Sequence, residues 1–415
     1  MLQARYGYLF SYRTNHFERY FCNRQSTIQA LIRIRFMNYI LEFLLYCPRV
    51  YSGLDRLMVE LTRQATAQGC RVVCVYCDTM ENMPQIQTDI EANGGIVEIV
   101  SGASKRQRKD IWRLYRKYHP SIVDTHFENR AKIQTCICSA LCGAKHFTHV
   151  HSLLGDVSRY QAEKGSAKRV LLGVYYWMLT VFSEKVLCIS EAIHRQYMVW
   201  SYGRCQNVET LYIGTPLGTP KYTRHTARTL LRLPQETQII TNISAIEYIK
   251  GIDLIIRAVA LLKQKGIMVL FVHIGGLRAD TQEQKDYAAS LFRLAKELGV
   301  EQQVIWLGKR NDIQDILPMA NVYVHPSRSE GLGSVLMEAS VAGLPLVGTN
   351  VGGIPEVVKD GQTGVLVESE DVHGLSMAIE KALNNPTYGK QAYDEVYSHF
   401  SQTRLAGELL DSYRK

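Results

Sequence analysis

Nowhere in its 415 residues does the sequence carry an apolar run long enough to cross a bilayer. The longest runs, Val170 to Phe182 and Tyr39 to Cys47, fall short of the roughly 20 residues a spanning helix needs, and the first contains Gly173 and Thr180. Cysteine is missing from the second half, since all ten lie between Cys22 and Cys205. Several occupy strand-like stretches such as Arg71 to Cys77, where Cys74 and Cys77 point to opposite faces. That argues against zinc clusters and for reduced core thiols in a cytosolic protein. No small-residue cleavage site follows the N-terminal stretch, so nothing there reads as a secretory signal. A Gly-rich loop ending in Gly-Lys-Ser/Thr is absent, which removes the common NTPase reading. Despite a net charge of +9, no aromatic-basic recognition motif supports nucleic-acid binding.

Charge is unevenly placed: residues 1–36 carry +5, 37–238 carry +8 and 239–415 carry −4. Residues 1–36 combine arginines and aromatics without a sustained apolar stripe and do not read as a domain. We expect them to be a non-native or weakly ordered extension, with Met37 the natural start and a basic membrane-surface arm the alternative. From Met37 onward, strand-like and helix-like segments alternate. Strands are expected near 39–46, 71–77, 96–100, 121–125, 146–151, 185–190 and 207–213, which implies a parallel sheet covered on both faces. Residues 214–238 carry turn residues and no clear apolar period, and are the expected linker. The alternation restarts at Ile239 and runs to about residue 400, a second Rossmann-like half. The stretch 401–415 is an expected helix that can cross back to the first half.

Glu330 and Glu338 are separated by seven residues in Pro326-Ser327-Arg328-Ser329-Glu330-Gly331-Leu332-Gly333-Ser334-Val335-Leu336-Met337-Glu338-Ala339. A short buried strand, Asn321 to His325, precedes this segment, and Ser334 to Val341 is helix-forming with Gly343 at its end. Strand, glycine loop and helix start together make a site for phosphate: helix-end N–H groups are unpaired, and Gly331 and Gly333 let a bulky anion approach. Carboxylates are good acceptors from sugar hydroxyls, so Glu330 on the loop can hold a hexose and Glu338, one turn into the helix, a ribose. The ligand this describes is a nucleotide sugar. An isolated pair of this spacing has a plainer reading, a turn cap and a solvated helix residue.

The same segment resembles the signature of glycosyltransferase family 4, retaining enzymes of the GT-B fold, with Leu332 in place of the usual phenylalanine, and the resemblance implies donor binding along Gly331, Leu332, Gly333 and Ser334. Further matches follow in order at Ala342 to Val347, Thr349 to Glu356 and Asp360 to Val367. The resemblance implies an α/β protein with two Rossmann-like domains facing a cleft, donor on the second half and acceptor mainly on the first. Lys250, in Lys250-Gly251-Ile252-Asp253, matches the lysine that meets the donor diphosphate. His151, at the end of the strand Lys145 to His151, matches a histidine near the donor sugar, although His149 shares its strand face. Gly53 looks like the family's glycine loop, with Leu54 where a second glycine often stands and a plain tight turn as the alternative. Ser190-Glu191 also matches, and helix capping explains it. Ala245 departs from the pattern, since an arginine usually stands there; Arg328, Lys309 and Arg310 are the candidate substitutes.

The implied activity is transfer of a sugar from a nucleotide-diphosphate sugar to a saccharide or lipid-linked acceptor with retention, in surface polysaccharide or glycolipid assembly. The resemblance implies no metal or other cofactor. A GT-B nucleotide-sugar epimerase or hydrolase, or a non-catalytic partner subunit, are the alternatives. Lys109, Arg113 and Arg116 share one face of a basic helix, which suggests peripheral contact with an anionic membrane at the cytoplasmic side; a merely solvated face is the other reading.

Overall fold

The computed structural model describes residues 38–46, 52–77, 84–102, 104–126, 131–152, 166–201, 203, 206–276 and 281–414. The extension expected over 1–36, and Met37, lie outside them.

In the first half, β1 (Asn38–Phe43), β2 (Cys70–Cys77), β3 (Ile96–Val100), β4 (Ile122–Thr125), β5 (Lys145–Val150), β6 (Lys185–Cys188) and β7 (Val208–Thr210) form one sheet in the order β3-β2-β1-β4-β5-β6-β7. In the second, β8 (Gln238–Ile243), β9 (Val269–Ile274), β10 (Val304–Trp306), β11 (Val322–His325), β12 (Leu346–Thr349) and β13 (Gly364–Val367) take the order β10-β9-β8-β11-β12-β13. Neighbouring strands run parallel, and helices connect them. The continuous apolar stretch Val72 to Tyr76 in β2 is buried throughout, as a strand covered on both faces must be. Two Rossmann-like domains with parallel sheets, the GT-B architecture, are therefore the observed fold. Each sheet order reverses beside its first strand, β1 against β4 and β8 against β11, so a crevice opens at those strand ends.

The segment 214–238 is more than a linker. Thr223 caps a two-turn helix, Arg224–Leu230, whose buried Arg228 donates to Met319 O and Asn321 Oδ1 at 2.8 Å each. Its apolar period was too short to read, because a single buried alanine and an inward arginine carry the packing. The last helix, Gln402–Arg414, lies against the helix Gly53–Ala67 of the first half, with Leu405, Ala406, Leu409 and Leu410 buried. Burying a leucine of this kind contributes roughly 1.5–3 kcal/mol, enough to hold a helix that has left its own domain.

Candidate functional site

β11 ends in His325, and the loop after it folds Glu330 back onto that strand end. Glu330 Oε2 lies 2.8 Å from Lys250 Nζ, 2.9 Å from His325 Nε2 and 3.3 Å from Ser327 Oγ. Burial pushes the Glu330 carboxyl up, but His325 and Lys250 outweigh it and hold it well below the ordinary carboxylate range. Glu330 is therefore an anion with one oxygen saturated by protein donors, and Oε1 makes none of these contacts.

The turn carrying Lys250 is fixed by its neighbours. Gly251 has φ +66°, and a side chain there would meet Pro326 O at 2.1 Å, so only glycine lets the turn sit on the loop of β11. Arg328 donates to both oxygens of Asp253 at 2.8 Å, pairs with Glu370 and stacks over Tyr248 at 3.9 Å. Arg310 pairs with Asp312 at 2.6 Å. Both arginines considered as replacements for the cation missing at Ala245 are thus committed to carboxylates, while Lys309 sits beside Gly276.

The helix Ser334–Val341 starts at Gly333, which has φ +83°. Ser334 is half-buried at its first turn. Glu338 lies one turn inside, its carboxyl raised by burial and partly lowered by Arg56 of the facing half. The Leu332 side chain is 1% exposed in the core, so that position can meet a ligand only through its backbone. Gly331 is constrained by the other half, since a side chain there would come within 2.9 Å of His151 O. Ser190 caps Ile193 N and also donates to Gly331 O at 2.7 Å. Glu356 accepts from the amides of Glu191 and Ala192 at 2.8 Å each, setting a carboxylate on that helix start across the cleft. Gly53 opens its helix, and among the described residues nothing lies within 4 Å of where a side chain would stand.

His151 and His149 are separated by their surroundings. His149 is buried, with Nδ1 2.7 Å from Asp124 Oδ2, whereas His151 is half-buried past the end of β5, with Nε2 2.8 Å from His126 Nδ1. His126 Nε2 lies 3.0 Å from Glu42 Oε2. Among the described residues Asp124, His126 and His149 offer ligand atoms within 4.8 Å of one another. His126 Nε2 and His149 Nδ1 each lie within hydrogen-bond reach of a carboxylate, and the two imidazole rings stack at 4.6 Å and 6°. The structure thus gathers Lys250, Glu330, Gly331, Gly333 and Ser334 on one wall and His151 opposite, with Gly53 and Glu338 at the edges.

Two family models match in succession, Glycosyltransferase Family 4 over residues 51–217 and Glycosyl transferases group 1 over 224–399. The chain belongs to glycosyltransferase family 4. It is 33% identical over 195 residues to the D-inositol 3-phosphate glycosyltransferase of Mycolicibacterium smegmatis, covering 46% of this chain and 43% of that protein. It is 34% identical over 123 residues to the N-acetyl-alpha-D-glucosaminyl L-malate synthase of Bacillus anthracis, covering 29% and 32%. The matches thus span less than half the length of these curated relatives. Among solved structures, HepE of Anabaena, crystallised with UDP and glucose, superposes with a TM-score of 0.75 at 18% identity over 91% of this chain and 100% of that one, a likeness of fold.

Sequence reasoning missed His325, Glu356, Glu42, Asp124, His126 and Tyr413. His325 had a local signal, a histidine ending a buried strand five residues before Glu330. The partners of the others lie far away in the chain, beyond what a local pattern such as the match over Thr349 to Glu356 can show: Glu356 is 165 residues from Glu191, and Tyr413 is 371 from Glu42.

Proposed function

We propose that this protein moves a sugar, with its anomeric configuration retained, from a nucleotide-diphosphate sugar to a saccharide or lipid-linked acceptor. The observation that carries the reading is Lys250 and Glu330 in contact at 2.8 Å beside the start of the Ser334 helix, with His151 on the facing wall. When the diphosphate enters, Lys250 and the helix-end amides balance the charge that grows on the leaving nucleoside diphosphate. Glu330, kept ionised by His325 and Lys250, accepts from a sugar hydroxyl through the oxygen that faces away from them. Glu338 does the same for the ribose. Positive charge is supplied by the chain itself, so the transfer is read as metal-independent. The relatives and HepE support a nucleotide-sugar donor, and retention follows from the family resemblance.

We place the acceptor at an anionic membrane on the cytoplasmic side, in polysaccharide or glycolipid assembly. Three adjacent helices, Ser104–Tyr118, Ala131–Cys142 and Ser166–Phe182, cover one face of the first sheet, and Asp110 is their sole acidic residue. The first lines a cavity of about 460 Å³ with Lys109, Trp112, Arg113 and Arg116. The other two expose Leu141, Val170, Val174, Trp177, Val181 and Phe182. Basic groups beside exposed apolar ones suit a lipid surface, at around 1 kcal/mol per basic group. Among the described residues no helix is long and apolar enough to cross a membrane.

The test is a panel of nucleotide sugars read by mass spectrometry against free and lipid-linked saccharides, with Glu330→Gln alongside and anionic vesicles present or omitted. Transfer lost in Glu330→Gln and enhanced by vesicles is expected. Donor turnover without an acceptor would establish a hydrolase or epimerase instead. Donor binding with no transfer, which Ala245 and the committed arginines would explain, would make this a non-catalytic subunit.

A further inference from the structure

Glu42 of β1 and Asp124 of β4 are register partners on adjacent strands, both fully buried, at the point where the first sheet's order reverses. Two carboxylates side by side in an apolar interior do not both ionise readily. Between them stands a single hydroxyl from the far end of the chain: the Tyr413 oxygen lies 2.8 Å from Glu42 Oε1 and 2.6 Å from Asp124 Oδ2. One hydroxyl carries one proton, so it donates to one acid only, and the other contact needs a proton of its own. Asp124 Oδ2 is also within 2.7 Å of His149 Nδ1, whereas its Oδ1 has no partner among the described residues and offers a proton no acceptor there.

We propose that Glu42 is carried as the neutral acid, and that Tyr413, Glu42 and His126 are positioning residues that hold His151 in the tautomer with its proton on Nε2. Each of these contacts among the described residues then has one proton. Glu42 Oε1–H donates to the Tyr413 oxygen, and Tyr413 O–H and His149 Nδ1–H donate to Asp124 Oδ2. Glu42 Oε2 accepts from His126 Nε2–H, His126 Nδ1 accepts from His151 Nε2–H, and Nδ1 of His151 is left as its acceptor nitrogen. The groups facing Glu42 are Asp124, His126, Tyr413 and Cys74, with Lys132 close by, donating to His149 O. Burial and the neighbouring Asp124 push the Glu42 carboxyl well up, and burial pushes His126 down to about 3, so its ring is neutral and one nitrogen must accept. The last helix therefore anchors more than the packing of the two halves: its tyrosine fixes the proton pattern that ends at the cleft histidine. The inference rests on the reading of His151 as the residue facing the donor sugar.

Long-range proton–nitrogen correlation spectra of the ¹⁵N-histidine-labelled full chain read the tautomer directly and need no turnover, so failure of the transferase reading leaves this result interpretable. The wild type is expected to show His151 protonated on Nε2. Glu42→Gln can place its amide NH₂ toward Tyr413 and its oxygen toward His126, and is expected to keep that tautomer. Tyr413→Phe and Glu42→Leu are expected to mix the tautomers and to lower kcat about tenfold with little change in KM. Either His151 protonated on Nδ1 in the wild type, or a Glu42→Gln spectrum as disturbed as that of Glu42→Leu, would overturn the proposal. Tyr413→Phe keeps the test usable if the leucine variant does not fold.

Discussion

The two halves share one architecture and hold their functional groups in opposite ways. In the second, the charged groups sit on loops and helix starts after strand ends and are tied by ion pairs reachable from solvent: Lys250 with Glu330, and Arg328 with Asp253 and Glu370. In the first, Glu42, Asp124, His126 and His149 lie inside the sheet's end, away from water, and are tied by shared protons. An ion pair at a cleft can open and hand its charges to an entering diphosphate. A buried proton network cannot open cheaply, and so it serves to hold a geometry.

The contrast can be broken most forcefully in the second half. Arg328→Ala removes the clasp on the Lys250 turn and leaves the half-buried Asp253 with only the Tyr287 hydroxyl. We expect a loss of roughly 2–3 kcal/mol, below the roughly 3–5 of a fully buried pair because Glu370 is exposed, together with at least about a tenfold fall in kcat/KM. Denaturant melts beside steady-state kinetics check both, and an unchanged kcat/KM would show that the turn keeps Lys250 in place without the clasp.

Acidification should separate the halves next. Burial lowers His126 and His146 to about 3 and takes His151 well below its ordinary value, against one such imidazole in the second half, His273 at about 4. Unfolded histidines protonate near 6.5 while these resist, so the unfolded state binds more protons below that pH and stability falls as pH drops toward 3, by about 1.4 kcal/mol per unit for each ring. Glu42, whose folded pKa is raised, works the other way by one proton above about 4.5. The net sign leaves the first half losing protection first, which hydrogen exchange at pH 7, 6 and 5 would reveal. Equal loss in both halves would contradict the contrast.

The smallest effect concerns the seam. Glu356→Gln weakens the grip on the amides of Glu191 and Ala192, and we expect a severalfold rise in donor KM with kcat nearly kept. Small-angle scattering should then show a more open average, and an unchanged profile would mean that the contact between Ser190 and Gly331 and the last helix hold the halves without Glu356.

Residues 326–339 could be read because strand end, glycines and helix start are consecutive, so local chemistry specified the local site. Leu332 shows where local reading stops. A residue inside a ligand loop still has a side chain with its own preference, and burial drew that side chain into the core. The helix inside 214–238 escaped because two turns held by an inward arginine leave no apolar period.

By itself the sequence determined two parallel sheets and the loop that begins at Pro326, since strand periodicity and helix starts are encoded within short stretches, while Lys250, 2.8 Å from Glu330, was singled out by family resemblance. Only the tertiary structure decided which histidine reaches the cleft, which arginines are already committed, and that Tyr413 reaches Glu42 and Asp124. Those outcomes depend on register between strands distant in the chain and on a last helix that crosses from one domain to the other, and burial there, rather than residue type, sets where the protons reside.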